Sequence, residues 1–296
     1  MSDTIPGDRM IRKIIVFMEM IKFSHTIFAL PFALTGALLA ARGIPTLEQM
    51  LWIVLAMIGA RTAAMGLNRL IDAGIDARNP RTVGRAIPAG LIGKGTTLIF
   101  IVLSLILLLV AAASLNPLCL KLSPVAIFFL VLYSYCKRFT SLAHVVLGVC
   151  LGGAPLGAWL AIRGSIDAPA VILGLAVLCW VTGFDILYAL QDLEFDRQAG
   201  LHSIPARLGV AGSLWTARIF HLVMLALLVG LCILLRLGGF FMLGILASAA
   251  ILFYEHWLLR DGNLDKLDAA FFTMNSYISI IILAGTTADI LLKGVL

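Results

Sequence analysis

Two aspartate pairs hold most of the reactive chemistry in this sequence. Asn68, Asp72 and Asp76 stand four residues apart in NRLIDAGIDARNPRT, and Tyr188, Asp192 and Asp196 keep the same interval in YALQDLEFDRQAGLHS. That spacing places side chains one helical turn apart on nearly the same face. An interval of 120 residues separates Asp72 from Asp192 and Asp76 from Asp196, so the motifs sit alike in the two halves of the chain. Carboxylates in an apolar setting are costly unless a cation or a polar cavity compensates them. Two facing pairs therefore point to a site for divalent cations and a phosphorylated ligand. Hard oxygen donors suit Mg²⁺, which binds through a few carboxylates and keeps waters and substrate phosphates in its other positions. All four aspartates, Asp72, Asp76, Asp192 and Asp196, are candidate metal ligands and catalytic groups, and no histidine cluster competes with them.

The flanking residues fit the same ligand. Arg78, Arg81 and Arg85 follow the first motif within eight residues, with Pro80 and Pro88 limiting how far a helix runs there. Their guanidinium groups suit the outer oxygens of a diphosphate. A plain interfacial role, holding helix ends at the membrane surface, explains these charges but not the aspartates beside them. Asn68 can orient a ligand or donate to phosphate, or satisfy the backbone near a helix end. The second motif is followed by Arg197, His202, Ser203 and Arg207 and preceded by Asp185. Asp185, Arg197, His202 and Ser203 are candidate substrate-binding residues, with His202 suited to phosphate, although a lone histidine in a polar loop is as often simply solvated. Glu194, two residues from Asp192, faces elsewhere on an unbroken helix. Tyr188, one turn before Asp192, suits either a phosphate oxygen or a developing cation, and otherwise reads as an interfacial tyrosine. A third polar interruption, YSYCKRFTSLAH, contains Lys137, Arg138 and His144. Glu255, His256, Asn275 and the loop aspartates Asp261, Asp265 and Asp268 are weaker candidates.

The elements that must position these groups are membrane helices. Of 296 residues, 61% are hydrophobic and 13% charged, and the mean hydropathy is +1.05. Soluble domains are about half apolar and about a quarter charged. Apolar runs of roughly 17–25 residues, the length that crosses a bilayer, recur at 17–40, 46–67, 96–115, 119–136, 141–162, 169–189, 212–235, 238–257 and 270–291. The expected fold is an all-α, multi-pass bundle of nine transmembrane helices with the N-terminus in the cytoplasm. The start of the chain lacks a small-residue cleavage signal, so the first helix is expected to be retained. With that topology, the basic loops carrying Arg69, Arg78, Arg81, Arg85, Lys137 and Arg138 fall on the cytoplasmic side. The opposite side holds only Arg42, Lys121, Arg163, Arg236 and Lys293. This asymmetry follows the positive-inside rule and puts both motifs at the cytoplasmic surface. The net charge of +6 then needs no nucleic acid, since anionic lipid headgroups and a charged substrate suffice as partners. Five scattered cysteines, with no CxxC pair, argue against a disulfide framework or a zinc site. The chain reads as one domain over residues 1–296, and the repeated spacing suggests two pseudo-repeated halves around 68–76 and 188–196.

These motifs resemble the UbiA superfamily of intramembrane aromatic prenyltransferases. NRLIDAGID matches the family's NxxxDxxxD pattern, and YALQDLEFD matches its YxxxDxxxD pattern. RNPRT, GLHSIPARLG and YSYCKRFT are similar to family loops, and the match covers nearly the whole chain. The resemblance implies a helical bundle with a cavity open sideways to lipid, in which polyprenyl diphosphate binds through Mg²⁺. It further implies transfer of the polyprenyl group to an aromatic carboxylate, most closely 4-hydroxybenzoate at the 3-position, in quinone biosynthesis at the cell inner membrane. Arg138 is the candidate partner of the acceptor carboxylate. His202 stands where many 4-hydroxybenzoate enzymes carry lysine, which leaves open 1,4-dihydroxy-6-naphthoate, in menaquinone biosynthesis, or another acceptor of the superfamily. A cation-coupled transporter is the rival of a different class. Carboxylates at helix ends beside arginine-rich loops favour headgroup chemistry over alternating access at mid-membrane. Chain length, the number of Mg²⁺ ions and oligomeric state are not encoded in these motifs.

Overall fold

A computed structural model describes residues 6–21, 29–260 and 267–293; side chains are described for 11–21, 29–260 and 274–292. Among the described residues the secondary structure is helical throughout, without a strand. The helices are α1 (Pro6–Met20), α2 (Leu30–Ala41), α3 (Leu47–Ile71), α4 (Ala73–Asp76), α5 (Lys94–Leu115) and α6 (Pro117–Cys136). They continue with α7 (Ala143–Arg163), α8 (Ala168–Ala189), α9 (Leu193–Gln198), α10 (Ile204–Leu235), α11 (Gly239–Leu258) and α12 (Leu267–Lys293). Eight helical segments are long and apolar enough to cross a membrane. The protein is therefore a multi-pass membrane helical bundle. Where the sequence suggests one span over 17–40, α1 ends at Met20 and α2 starts at Leu30. Phe17, Met20 and Ile21 pack on Ala86 and Ile92 of the loop after α4, and Phe17 stacks on Phe100 with ring centroids 4.4 Å apart. Apolar periodicity alone does not distinguish such a docked helix from the start of a span.

Local signals set the helix ends. Thr46 and Gln49 form a reciprocal capping box at the start of α3. The Asn116 carboxamide accepts from the Leu118 and Cys119 N–H groups and donates to the Leu160 carbonyl at 2.7 Å, tying α6 to the end of α7. Asp289 of α12 accepts from the first N–H groups of α11, Phe240 at 3.2 Å and Phe241 at 2.8 Å. α10 begins at Ile204, ahead of the expected 212, because Ser203 caps it and Gly209, at φ 67°, carries the chain through a kink. A left-handed φ of that kind favours glycine.

α8 packs against both α7 and α10. A Cβ on Gly152 of α7 would run into the Gly174 carbonyl oxygen of α8, so the approach of these two helices requires glycine there. This contact fixes the relative placement of the polar residues on α7 and α8.

Candidate active site

Both motif helices bend at their first aspartate. Asp72 ends α3 at φ −86°, ψ 0°, and the single turn α4 carries Asp76. Asp192 lies in a 3-10 turn after α8 at φ −101°, ψ 5°, and α9 carries Asp196. The unbroken helix expected from the four-residue spacing is thus corrected: each pair straddles a break. Backbone bonding still bridges the first break, with Asp72 N–H donating to the Asn68 carbonyl at 2.9 Å and Asp76 N–H to the Asp72 carbonyl at 2.8 Å. Asn79, in the loop after α4, joins the motifs by donating to Asp192 Oδ1 at 2.8 Å.

Basic groups neutralise three of the four carboxylates. Asp72 is 1% exposed and Asp76 3%, a burial that requires compensation. Lys137 Nζ lies 2.6 Å from Asp72 Oδ2, and Arg138 Nη2 3.0 Å from Asp72 Oδ1. The Asn68 amide donates to Asp72 Oδ2 at 3.0 Å. Arg85 Nη1 donates to Asp76 Oδ1 at 2.7 Å. Arg81 forks onto Asp192, with Nε donating to Oδ1 at 2.9 Å and Nη2 to Oδ2, while Nη1 donates to the Tyr188 hydroxyl at 3.4 Å. Burial works against the Arg81 charge, but the Asp192 carboxylate outweighs it and raises the guanidinium pKa above its ordinary value. Asp196 lies beside the Ser203 hydroxyl.

These groups crown a cavity of about 1200 Å³. Of the sequence candidates, Asn68, Asp72, Asp76, Arg81, Arg85, Asp185, Tyr188, Asp192, Asp196, His202 and Ser203 line it. Below them the walls are apolar, with small residues such as Ala56, Ala60, Gly153, Ala154 and Gly157 among larger aliphatic ones. The walls continue to Leu115, Cys119, Leu160 and Ile166 at the far ends of their helices. A charged mouth over a long apolar chamber suits a ligand with an anionic head and a hydrocarbon tail.

Three candidate residues lie outside the lining. Arg78 donates to the Gly74 carbonyl at 3.3 Å. Arg197 donates to the Ala206 carbonyl at 3.2 Å and faces a smaller neighbouring groove. Arg138 sits behind Asp72, donating to the carbonyls of Ser134 at 2.6 Å and Ile71 at 2.9 Å as well as to the carboxylate. Sequence reasoning missed Arg61, two turns before Asn68 on α3; it lines the cavity, and its Nε is buried without a hydrogen-bond partner. The i, i+7 spacing from Asn68 was the available signal. Asn79 was not among the sequence candidates, and Lys137, noted there only as part of the third polar interruption, is an ion-pair partner of Asp72. Asn275 accepts from Trp180 Nε1 at 2.8 Å, linking α12 to α8. Glu255 is buried, and Asp261, Asp265 and the Asp268 side chain lie outside the described residues.

The donor set fits Mg²⁺ by type: four carboxylates, with Asp76 Oδ2 buried and without a hydrogen-bond partner. Among the described residues no three His, Cys, Asp or Glu side chains are gathered closely enough to hold a metal ion. The basic groups occupy the carboxylates instead.

The UbiA prenyltransferase family model matches residues 29–277, and the chain belongs to that family. It is a prenyltransferase. The sequence is 30% identical over 261 residues to the 4-hydroxybenzoate octaprenyltransferase of Alkalilimnicola ehrlichii, covering 88% of each chain. The fold is similar to the apo structure of a UbiA homolog from Aeropyrum pernix, with TM-score 0.83 and 32% identity over 90% of this chain and 98% of that one. It also resembles a UbiA homolog from Archaeoglobus fulgidus bound to DMAPP and Mg²⁺, with TM-score 0.67 and 17% identity, over 93% of this chain and 99% of the other.

Proposed function

We propose that the protein transfers a polyprenyl group from polyprenyl diphosphate to an aromatic acid, 4-hydroxybenzoate at its 3-position, with Mg²⁺ as cofactor. In this reading the reaction belongs to quinone biosynthesis and takes place at the cytoplasmic side of the inner membrane. The nine-span topology counts α2 with the eight longer segments and places the N-terminus in the cytoplasm. The observation that carries the proposal is the two-ended cavity, with four aspartates and their basic partners over a deep apolar chamber. The names of the curated relatives support the acceptor and a long donor.

Mg²⁺, held through Asp72, Asp76, Asp192 and Asp196, would neutralise the charge that gathers on the diphosphate as its bond to C1 breaks. The residues contribute the rest. Arg81, Arg85 and Lys137 hold the carboxylates before the donor arrives and then turn to the diphosphate oxygens, so the buried carboxylates are not left without a counter-charge beforehand. Asn68 and Tyr188 orient the headgroup, with Tyr188 facing the cation-like C1. Ser203 and His202 close the second side. The apolar walls exclude water, which would otherwise capture the allylic fragment. Arg61, with a buried guanidinium nitrogen left without a partner, suits the acceptor carboxylate better than Arg138, whose donors are engaged behind Asp72.

Product formation by mass spectrometry tests the proposal, using detergent-purified protein with Mg²⁺ and geranyl diphosphate. Prenylated 4-hydroxybenzoate is expected. Exclusive prenylation of 1,4-dihydroxy-6-naphthoate would reassign the acceptor, and no product with either would overturn the aromatic-acid reading.

A further inference from the structure

Asp185 is a cavity carboxylate that the donor-binding scheme leaves unused. It lies on α8 seven residues before Asp192, on the helix that leads into the second motif. Its side chain is 20% exposed, and it lines the chamber. Asp72, Asp76 and Asp192 each have a lysine or arginine partner. The partner of Asp185 is instead His144, whose Nδ1 lies 2.7 Å from Oδ2.

The surroundings of His144 settle which nitrogen carries its proton. His144 sits buried at the start of α7, and the Ile204 backbone N–H donates to its Nε2 at 3.4 Å. An amide N–H can only donate, so Nε2 is the accepting nitrogen and Nδ1 bears the hydrogen. The imidazole therefore donates Nδ1–H to Asp185 Oδ2. This arrangement clamps α7, α8 and the start of α10 together through Oδ2 and leaves the second oxygen of Asp185, a chamber-lining residue, outside the clamp. Asp185 thus presents to the chamber a carboxylate whose partner is an imidazole rather than a lysine or arginine. Tyr133 of α6 lies within electrostatic reach of both Asp185 and Asp72, so Asp185 belongs to the same compartment as the first motif.

We propose that Asp185 is the base that removes the ring proton of the aromatic acceptor, and that His144 is the residue that positions it. The inference rests on the aromatic-acceptor reading above. A bond forms between an acceptor ring carbon and C1 of the donor, while the C1–oxygen pair departs with the diphosphate. The substituted ring carbon then carries a hydrogen that must leave for aromaticity to return. Asp185 Oδ1 takes that proton, the C–H electron pair returns to the ring, and the proton later passes to water at the charged mouth. No oxidant or further reactant is needed.

The test compares the wild type with Asp185→Asn, His144→Leu and His144→Gln, using acceptor deuterated at the reacting carbon. Asp185→Asn is nearly isosteric but accepts no proton, so kcat is expected to fall about 100-fold or more. Donor KM should hold, and a primary deuterium isotope effect absent from the wild type should appear. His144→Leu should lower kcat and raise the isotope effect, whereas the Gln amide still donates to Asp185 and should recover most of the lost rate. Asp185→Asn within threefold of the wild type, or inactive without an isotope effect, overturns the assignment. Should Asp185→Asn fail to fold, the His144 pair decides: an isotope effect raised in Leu and relieved in Gln supports the base, and any other pattern refutes it. Wild-type protein that prenylates neither acceptor refutes the acceptor reading and this inference together, whereas an active wild type with an indifferent Asp185→Asn refutes only the base.

Discussion

The two aspartate motifs share a spacing and a backbone break but differ in how they are supported. The first is almost sealed: Asp72 and Asp76 are 1% and 3% exposed, and their cations come from the loop after α4 and from the end of α6. The second is more open, with the Asp192 side chain 20% exposed. Its guanidinium comes from the first motif's loop, because Arg81 crosses the mouth to Asp192. The second loop's own Arg197 turns to a backbone carbonyl. Matching sequence therefore conceals an unequal division: one loop serves both carboxylate pairs, and the second motif depends on the first half for its charge balance.

The largest effects should come from the carboxylates. Asp72→Asn and Asp192→Asn are each expected to lower Mg²⁺-dependent transfer about 100- to 1000-fold, the scale of losing one preorganised charge contact. Thermal unfolding in detergent should separate the motifs. Asp72→Asn strands Lys137 and Arg138 beside a sealed neutral group and should lower Tm clearly more than Asp192→Asn, where the site around Arg81 and Asn79 is more open, with the Asp192 side chain 20% exposed. Equal Tm losses would remove the distinction between a sealed and an open motif.

Arg81→Ala should follow, lowering kcat/KM for the donor about 100-fold, since Arg81 bridges the first loop to both Asp192 and Tyr188. Arg81→Lys should recover only part of this, because an ammonium cannot reproduce the fork. Full activity in Arg81→Lys would mean that charge alone matters at this crossing.

The membrane helices were legible because their apolar runs are long and their basic loops lie on one side. The motifs were legible because polar residues at four-residue intervals stand out in such a chain. Less legible was anything decided by direction rather than spacing. Arg78, Arg81 and Arg85 are equivalent in sequence, yet only Arg81 and Arg85 face the carboxylates, since the turn after Asp76 aims Arg78 at the Gly74 carbonyl. The division of 17–40 into α1 and α2 was hidden for a related reason, as a docked apolar helix and the start of a span have similar composition. Arg61 escaped notice because a single arginine in an apolar run resembles an ordinary membrane anchor.

Arg61 and Arg138 offer a finer test. Arg61→Ala is expected to raise acceptor KM about tenfold with little change in donor KM, as the loss of one charged contact to a carboxylate predicts. Arg138→Ala should do the opposite, weakening the donor and Mg²⁺ response by loosening Asp72. If acceptor KM responds to Arg138 and not to Arg61, the acceptor carboxylate sits at the mouth rather than in the chamber.

The smallest effects should lie on the side of each loop that faces away. Arg78→Ala removes a hydrogen bond to a carbonyl at an exposed helix end, and Arg197→Ala removes a similar one together with a loose 4.0 Å approach to Glu194. Exposed contacts of this kind contribute little, so both variants should stay within about threefold of wild-type kcat/KM. Arg197 is the sharper case, because it follows Asp196 directly and sequence alone would pair it with the diphosphate. A tenfold loss confined to donor KM in Arg197→Ala would show that its side chain swings from the Ala206 carbonyl into the mouth when donor binds, giving the second motif a cation of its own and ending its dependence on the first loop.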